Sequence, residues 1–131
     1  MIGIVLVSHS HLQATGLQEM AAQMSRNLVK IVAAGGLDDQ TIGTNAERIF
    51  QAITEAYSTE GVLVLFDWGS ALLSTQLAIE MLPAEQQANV KLSSAPMVEG
   101  AIVAAVEASL GHNLAEVKLA AEAARDMQKV L

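Results

Sequence analysis

Ile4-Val5-Leu6-Val7-Ser8-His9-Ser10-His11 is an apolar run that breaks abruptly into hydroxyl and imidazole side chains. Four branched aliphatics in succession fit a strand buried on both faces, as the strands of a parallel sheet are. In open α/β sheets, ligands gather outside the carboxyl ends of the strands, at the crevice where the strand order reverses. His9, leaving the end of the first strand, is placed at that crevice.

After this strand the chain alternates helices and strands with short joints. Leu17, Met20, Ala21 and Met24 recur at helical spacing and predict a helix over about residues 12–25 with one apolar stripe. Val29 to Ala34 is a second short strand ended by Gly35-Gly36, and Leu37 to Gly43 is a polar loop. Thr44 suits an N-cap, with Glu47 at capping-box spacing, and Ile49, Phe50, Ile53 and Tyr57 supply the buried face of that helix. Gly61 opens the strongest strand, Val62-Leu63-Val64-Leu65-Phe66, which Asp67-Trp68-Gly69-Ser70 closes. A third helix runs to about Leu82, with Leu73, Leu77 and Met81 on one face and Pro83 as its stop. Asn89 to Leu92 is a short strand whose Lys91 suits a sheet edge. Two helices follow, over about 98–110 with Val103, Val106 and Leu110 inward, and over about 114–129.

The resulting order, βαβαβαβαα, implies an α/β fold: an open, parallel, four-stranded sheet with helices on both faces and right-handed crossovers. The expected strand order is 2-1-3-4, with the switch point between strands 1 and 3. The whole chain, residues 1–131, reads as a single domain.

Composition narrows the function classes. Hydrophobic residues make up 52% of the chain, yet no apolar run approaches the ~20 residues of a membrane span. No basic segment precedes the first apolar stretch, which reads as a strand and not as a signal peptide. Without cysteine there are no disulfides or thiolate metal sites, and a cytoplasmic setting is expected. A formal charge of −7 opposes a nucleic-acid or anionic-membrane partner and suits a partner with a basic docking surface.

The expected topology brings His9 and Asp67 into one crevice. A carboxylate accepting the Nδ1–H of an imidazole fixes the tautomer and leaves Nε2 as a free lone pair. The helix starting near Gly69-Ser70 aims unpaired N–H groups at the same place, a ready anion site. Gly69 allows close backbone approach, Ser70 can donate through its hydroxyl, and Ser8 and Ser10 flank the imidazole. A nucleophilic histidine beside an anion cradle is what a phosphohistidine intermediate requires. No Lys or Arg falls within the loops predicted at this end of the sheet, so a phosphate is expected to be held by dipoles and backbone donors, as suits a group in transit. The loop sequence that cradles a nucleotide is absent, so ATP is not expected on this chain.

Plainer roles exist for the same residues. A histidine after a strand often caps or fills a core, and Asp67 suits an N-cap of the third helix. Trp68, the only tryptophan, reads as a partner anchor or as a lid on the rim. His11 and His112 read as solvated, and the methionines as core.

Val7-Ser8-His9-Ser10, Gly35-Gly36 with Ile42-Gly43-Thr44, Asp67-Trp68-Gly69-Ser70, and Ala95-Pro96-Met97-Val98-Glu99-Gly100-Ala101 together resemble the DhaM family. These are the phosphotransfer subunits of bacterial phosphoenolpyruvate-dependent dihydroxyacetone kinases, related to the mannose-type EIIA domains of sugar phosphotransferase systems. The resemblance covers essentially the whole chain. It implies that His9 is phosphorylated on Nε2 by the phosphocarrier HPr, and that the phosphoryl group passes to ADP held on the partner subunit DhaL. The ATP so formed phosphorylates dihydroxyacetone on DhaK. Asp67 matches the acidic residue that orients the histidine in the mannose-type relatives. A separate HPr as donor and a homodimeric state are also implied. Two alternatives share parts of the pattern: a sugar-transport EIIA domain with the same chemistry, and a flavodoxin-like or receiver-like binding module. A receiver needs acidic residues, and a flavin site a threonine-rich loop, where Ser8-His9-Ser10 stands.

Overall fold

β1 (Gly3–Ser8) lies inside the sheet, between β2 (Ile31–Gly35) and β3 (Val62–Phe66), and β4 (Val90–Ser93) forms the edge beyond β3. All three pairings are parallel and the order is 2-1-3-4, as the alternation of elements predicts. The computed structural model describes residues 1–130.

Alternation along β1 sends its side chains into two cores. Ile4 and Leu6, with Leu63 and Leu65 of β3, pack under α1 (His11–Met24), α5 (Met97–Ser109) and α6 (Leu114–Ala123). Val5, Val7, Val62 and Val64 pack under α2 (Ala46–Ala56) and α3 (Ala71–Glu80). Ile4, Val5, Leu6 and Val7 are no more than 1% exposed, and each such side chain contributes about 1.5–3 kcal/mol on leaving water. A Cβ on Gly35 would stand 2.4 Å from the Ser10 carbonyl oxygen, so glycine lets the start of α1 lie against the end of β2. A one-turn helix, α4 (Ala84–Gln87), precedes β4, and no helix among the described residues is long and apolar enough to cross a membrane.

Several helix faces differ from the expectation. α3 buries Ala71, Thr75 and Ala78, whereas Leu73, Leu77 and Met81 share a face that is exposed. α5 turns Gly100, Ala101, Ala104, Ala105 and Ala108 inward, leaving Val103 and Val106 half-buried and Leu110 in solvent. Where a helix lies close on a sheet, small side chains fit the gap and bulky ones are displaced outward. The same effect in α1 buries Ala14, Leu17 and Ala21 but leaves Met20 and Met24 exposed; Met97 alone of the methionines is buried.

The α2 N-cap is Asn45, one residue after Thr44, and its Oδ1 accepts from the amides of Glu47 and Arg48. The Thr44 hydroxyl instead meets that of Ser74 at 2.7 Å. α6 ends at Ala123 in a 3₁₀ turn over Ala124–Asp126, short of the predicted Lys129.

Candidate functional site

The ends of β1 and β3 are hydrogen-bonded neighbours, and the chain leaves both toward the same crevice. The Asp67 amide still bonds to the Val7 carbonyl, continuing the ladder by one rung. That register sets the Asp67 carboxylate beside Ser8 and His9. Its Oδ2 accepts from the Ser8 hydroxyl and the His9 amide, both at 2.9 Å. Its Oδ1 accepts from the Trp68 amide at 2.7 Å and faces His9 Nδ1 at 2.9 Å. Four partners fill the four acceptor sites of a carboxylate. Burial pushes the Asp67 carboxyl up, but the bonds from the His9 amide and ring, the Trp68 amide and the Ser8 hydroxyl outweigh it and hold it below the usual range.

An ionised Asp67 can only accept, so His9 Nδ1 carries the proton and, in the neutral ring, Nε2 holds the lone pair. Nε2 lies 3.0 Å from Ser70 Oγ, on the exposed side of the ring, where the hydroxyl donates to it. The His9 side chain is 16% exposed, enough to leave this edge open to solvent. Gly69, at φ +56°, makes the tight turn between Trp68 and α3 that swings Ser70 back over the ring. Beyond its two chain neighbours, no atom lies within 4 Å of a Cβ built on Gly69, so the turn itself stands in open space. Loop 36–43 closes the other side: the Gly36 amide donates to the Ser8 carbonyl and the Gly43 amide to the His9 carbonyl.

His9, Asp67 and Ser70 are thus brought together, with Gly69 as the turn between the last two. Ser10 is engaged elsewhere: its hydroxyl caps α1 by accepting from the Gln13 amide, and its own amide donates to Ser8 Oγ.

Three features were not legible in the sequence. Trp68 stacks on His9, with ring centroids 4.8 Å apart and planes 20° from parallel; its adjacency to Asp67 was the only cue. Ser8 is fully buried and bonded to Asp67, a direct part of the site's framework. The third is a cation at the carboxyl edge: the loops there hold none, as expected, but a helix supplies one. Arg48 sits in the first turn of α2, outside the loops, yet its long side chain reaches back to the Gly35 carbonyl and Asp39 at 3.0 Å each. His11 lies in this cluster, its Nδ1 3.5 Å from both Arg48 and Asp39, and is not free in solvent. Among the described residues, no group of three or more His, Cys, Asp or Glu is arranged to hold a metal ion.

Residues 3–118 match the EIIA-man family, described as the PTS system fructose IIA component. A phosphoryl donor subunit DhaM of the PEP-dependent dihydroxyacetone kinase from Providencia stuartii is 42% identical over 120 residues, 89% of this chain. The chain spans only 25% of that relative's length. A Listeria innocua protein named phosphoryl donor subunit DhaM of PEP-dependent dihydroxyacetone kinase 2 is 43% identical over 107 residues, 82% of this chain and 86% of its own. In three dimensions the chain is similar to a crystal structure of a protein of unknown function, with TM-score 0.79 and 32% identity over 94% of this chain and 95% of the other.

Proposed function

The chain belongs to the EIIA-man family, and from that premise we propose that it is a phosphohistidine carrier, the phosphoryl donor subunit of a dihydroxyacetone kinase. The observation that carries the proposal is the His9 ring, held at Nδ1 by Asp67 and presenting Nε2 to Ser70 at the open edge of the crevice.

In the first step, the Nε2 lone pair of His9 attacks the phosphorus of phosphorylated HPr. The Nε2–P bond forms as the N–P bond in HPr breaks, and the HPr imidazole leaves with the bonding pair. The Nδ1 proton stays on His9, so the phosphorylated ring is positively charged against the Asp67 carboxylate. Ser70 rotates its hydroxyl from Nε2 to a phosphoryl oxygen, and the N-terminus of α3 adds its dipole. In the second step, the terminal phosphate oxygen of ADP on DhaL attacks the phosphorus, Nε2 recovers its pair, and ATP forms for use on DhaK. Asp67 acts in both directions by fixing one tautomer and balancing the ring charge. The chain itself binds no nucleotide and works in the cytoplasm. Two copies associate as a homodimer, a state supported by the exposed Leu73, Leu77 and Met81 face of α3 and checked by sedimentation.

The test is to mix the chain with enzyme I, HPr and phosphoenolpyruvate and to locate the phosphate by mass spectrometry. One acid-labile phosphate on His9 is expected, followed by its loss and the appearance of ATP when DhaL with ADP is added. Label elsewhere overturns the site. Label on His9 that passes to a sugar-transporter subunit and not to DhaL makes the chain a transport EIIA domain.

A further inference from the structure

Trp68 has no part in the two transfer steps, yet it covers one face of the reacting ring. The indole and imidazole planes are 20° from parallel at a centroid distance of 4.8 Å, inside the range at which an aromatic face attracts a cation. The backbone that carries the indole is anchored beside the ring, since the Trp68 amide donates to the Asp67 oxygen that also faces His9 Nδ1. Its other face is open, because Trp68 as a whole is 68% exposed. A tryptophan held so openly in water, when Val64 and Leu65 just before it are fully buried, is not there to fill the core.

The charge on His9 changes during transfer, and that gives the stack a use. The ring that attacks phosphorus is neutral, with a proton on Nδ1 facing Asp67 and a lone pair on Nε2. Once the Nε2–P bond forms with that proton retained, the ring is a cation lying under the indole face. We infer that Trp68 sets how far the phosphoryl group moves onto His9, by stabilising the phosphorylated ring more than the resting one; this rests on the carrier function proposed above. Asp67 balances the charge in the plane of the ring and Trp68 balances it from above. An exposed cation–aromatic contact shifts an equilibrium roughly two- to five-fold.

The obvious competing role for an exposed tryptophan is docking, and equilibrium separates the two. Docking speeds arrival and departure of the partner but cannot alter the final ratio between free species, whereas stabilising the phosphorylated ring must. Phosphorylated HPr is therefore equilibrated with wild type, Trp68→Phe and Trp68→Leu, and the phosphorylated fraction of each protein is read by mass. Circular dichroism confirms that the variants are folded. Trp68→Leu is expected to shift the ratio toward phosphorylated HPr by roughly two- to five-fold, and Trp68→Phe to recover part of it. Equal ratios in all three, or equal losses in both variants, overturn the inference while leaving the carrier function standing. A wild-type chain that takes no phosphate overturns both.

Discussion

The ends of β1 and β4 are built alike and serve different purposes. At β1, the Ser8 hydroxyl and the His9 amide donate to one oxygen of Asp67, while the Ser10 amide donates to Ser8 Oγ. At β4, the Ser93 hydroxyl and the Ser94 amide donate to one oxygen of Glu122, while the Ala95 amide donates to Ser93 Oγ, all at 3.1 Å. In each case a buried serine and the next amide are gathered by a carboxylate from elsewhere in the chain. The difference lies in the rest of the carboxylate. The second oxygen of Asp67 faces an imidazole, whereas Lys118 stands 3.4 Å from Glu122 Oε1 and 3.1 Å from Oε2. One scaffold orients an imidazole, and the other ends in an i,i+4 ion pair on α6.

That contrast is broken most directly by moving the base. His9→Ala is expected to abolish acid-labile phosphate uptake with the fold kept, by mass spectrometry and circular dichroism. Ser94→His, which puts an imidazole at the equivalent place on β4, is expected to take up none, because Lys118 already holds Glu122. Uptake by that variant would make any strand-end carboxylate sufficient.

The carboxylates separate next. Asp67→Ala is expected to slow phosphoryl transfer by roughly 10²–10⁴-fold in rapid-quench kinetics, the range a positioned acid–base or orienting group supplies. Glu122→Ala is expected to leave the rate unchanged and to cost about 1–3 kcal/mol in urea unfolding, the penalty for stripping charged partners from part-buried donors. A slowed rate there would link the two ends.

The smallest effect is one they share. Burial raises the Glu122 carboxyl, but bonds from Lys118, the Ser94 amide and the Ser93 hydroxyl hold it below its ordinary value, as the corresponding bonds do for Asp67. A carboxyl depressed in the folded chain stabilises it fully above the unfolded value, about 4 for Asp and Glu, and that stability is lost as pH falls through the depressed value. The urea midpoint of wild type is therefore expected to drop more between pH 6 and about pH 3 than that of Asp67→Asn or Glu122→Gln. Parallel profiles would mean that the bonds do not survive in solution.

Element order, sheet order and the meeting of His9 with Asp67 were legible because they follow from topology: apolar strands separated by helices admit few arrangements. Which side of each helix faces in was less legible. In α3 and α5 apolar residues occur all round, so periodicity sets no phase, and the closeness of helix to sheet decides it by admitting Ala71, Ala78, Ala101 and Ala105. The reach of Arg48 and the tilt of Trp68 onto His9 depend on side-chain torsions, which no spacing of residues encodes.

The stacked ring has a practical corollary. Trp68 is the sole indole in 131 residues, so all tryptophan emission from this chain originates within contact of the imidazole at issue. The molecule carries its own dye where a spectroscopist would want one, a native reporter on the surroundings of that ring.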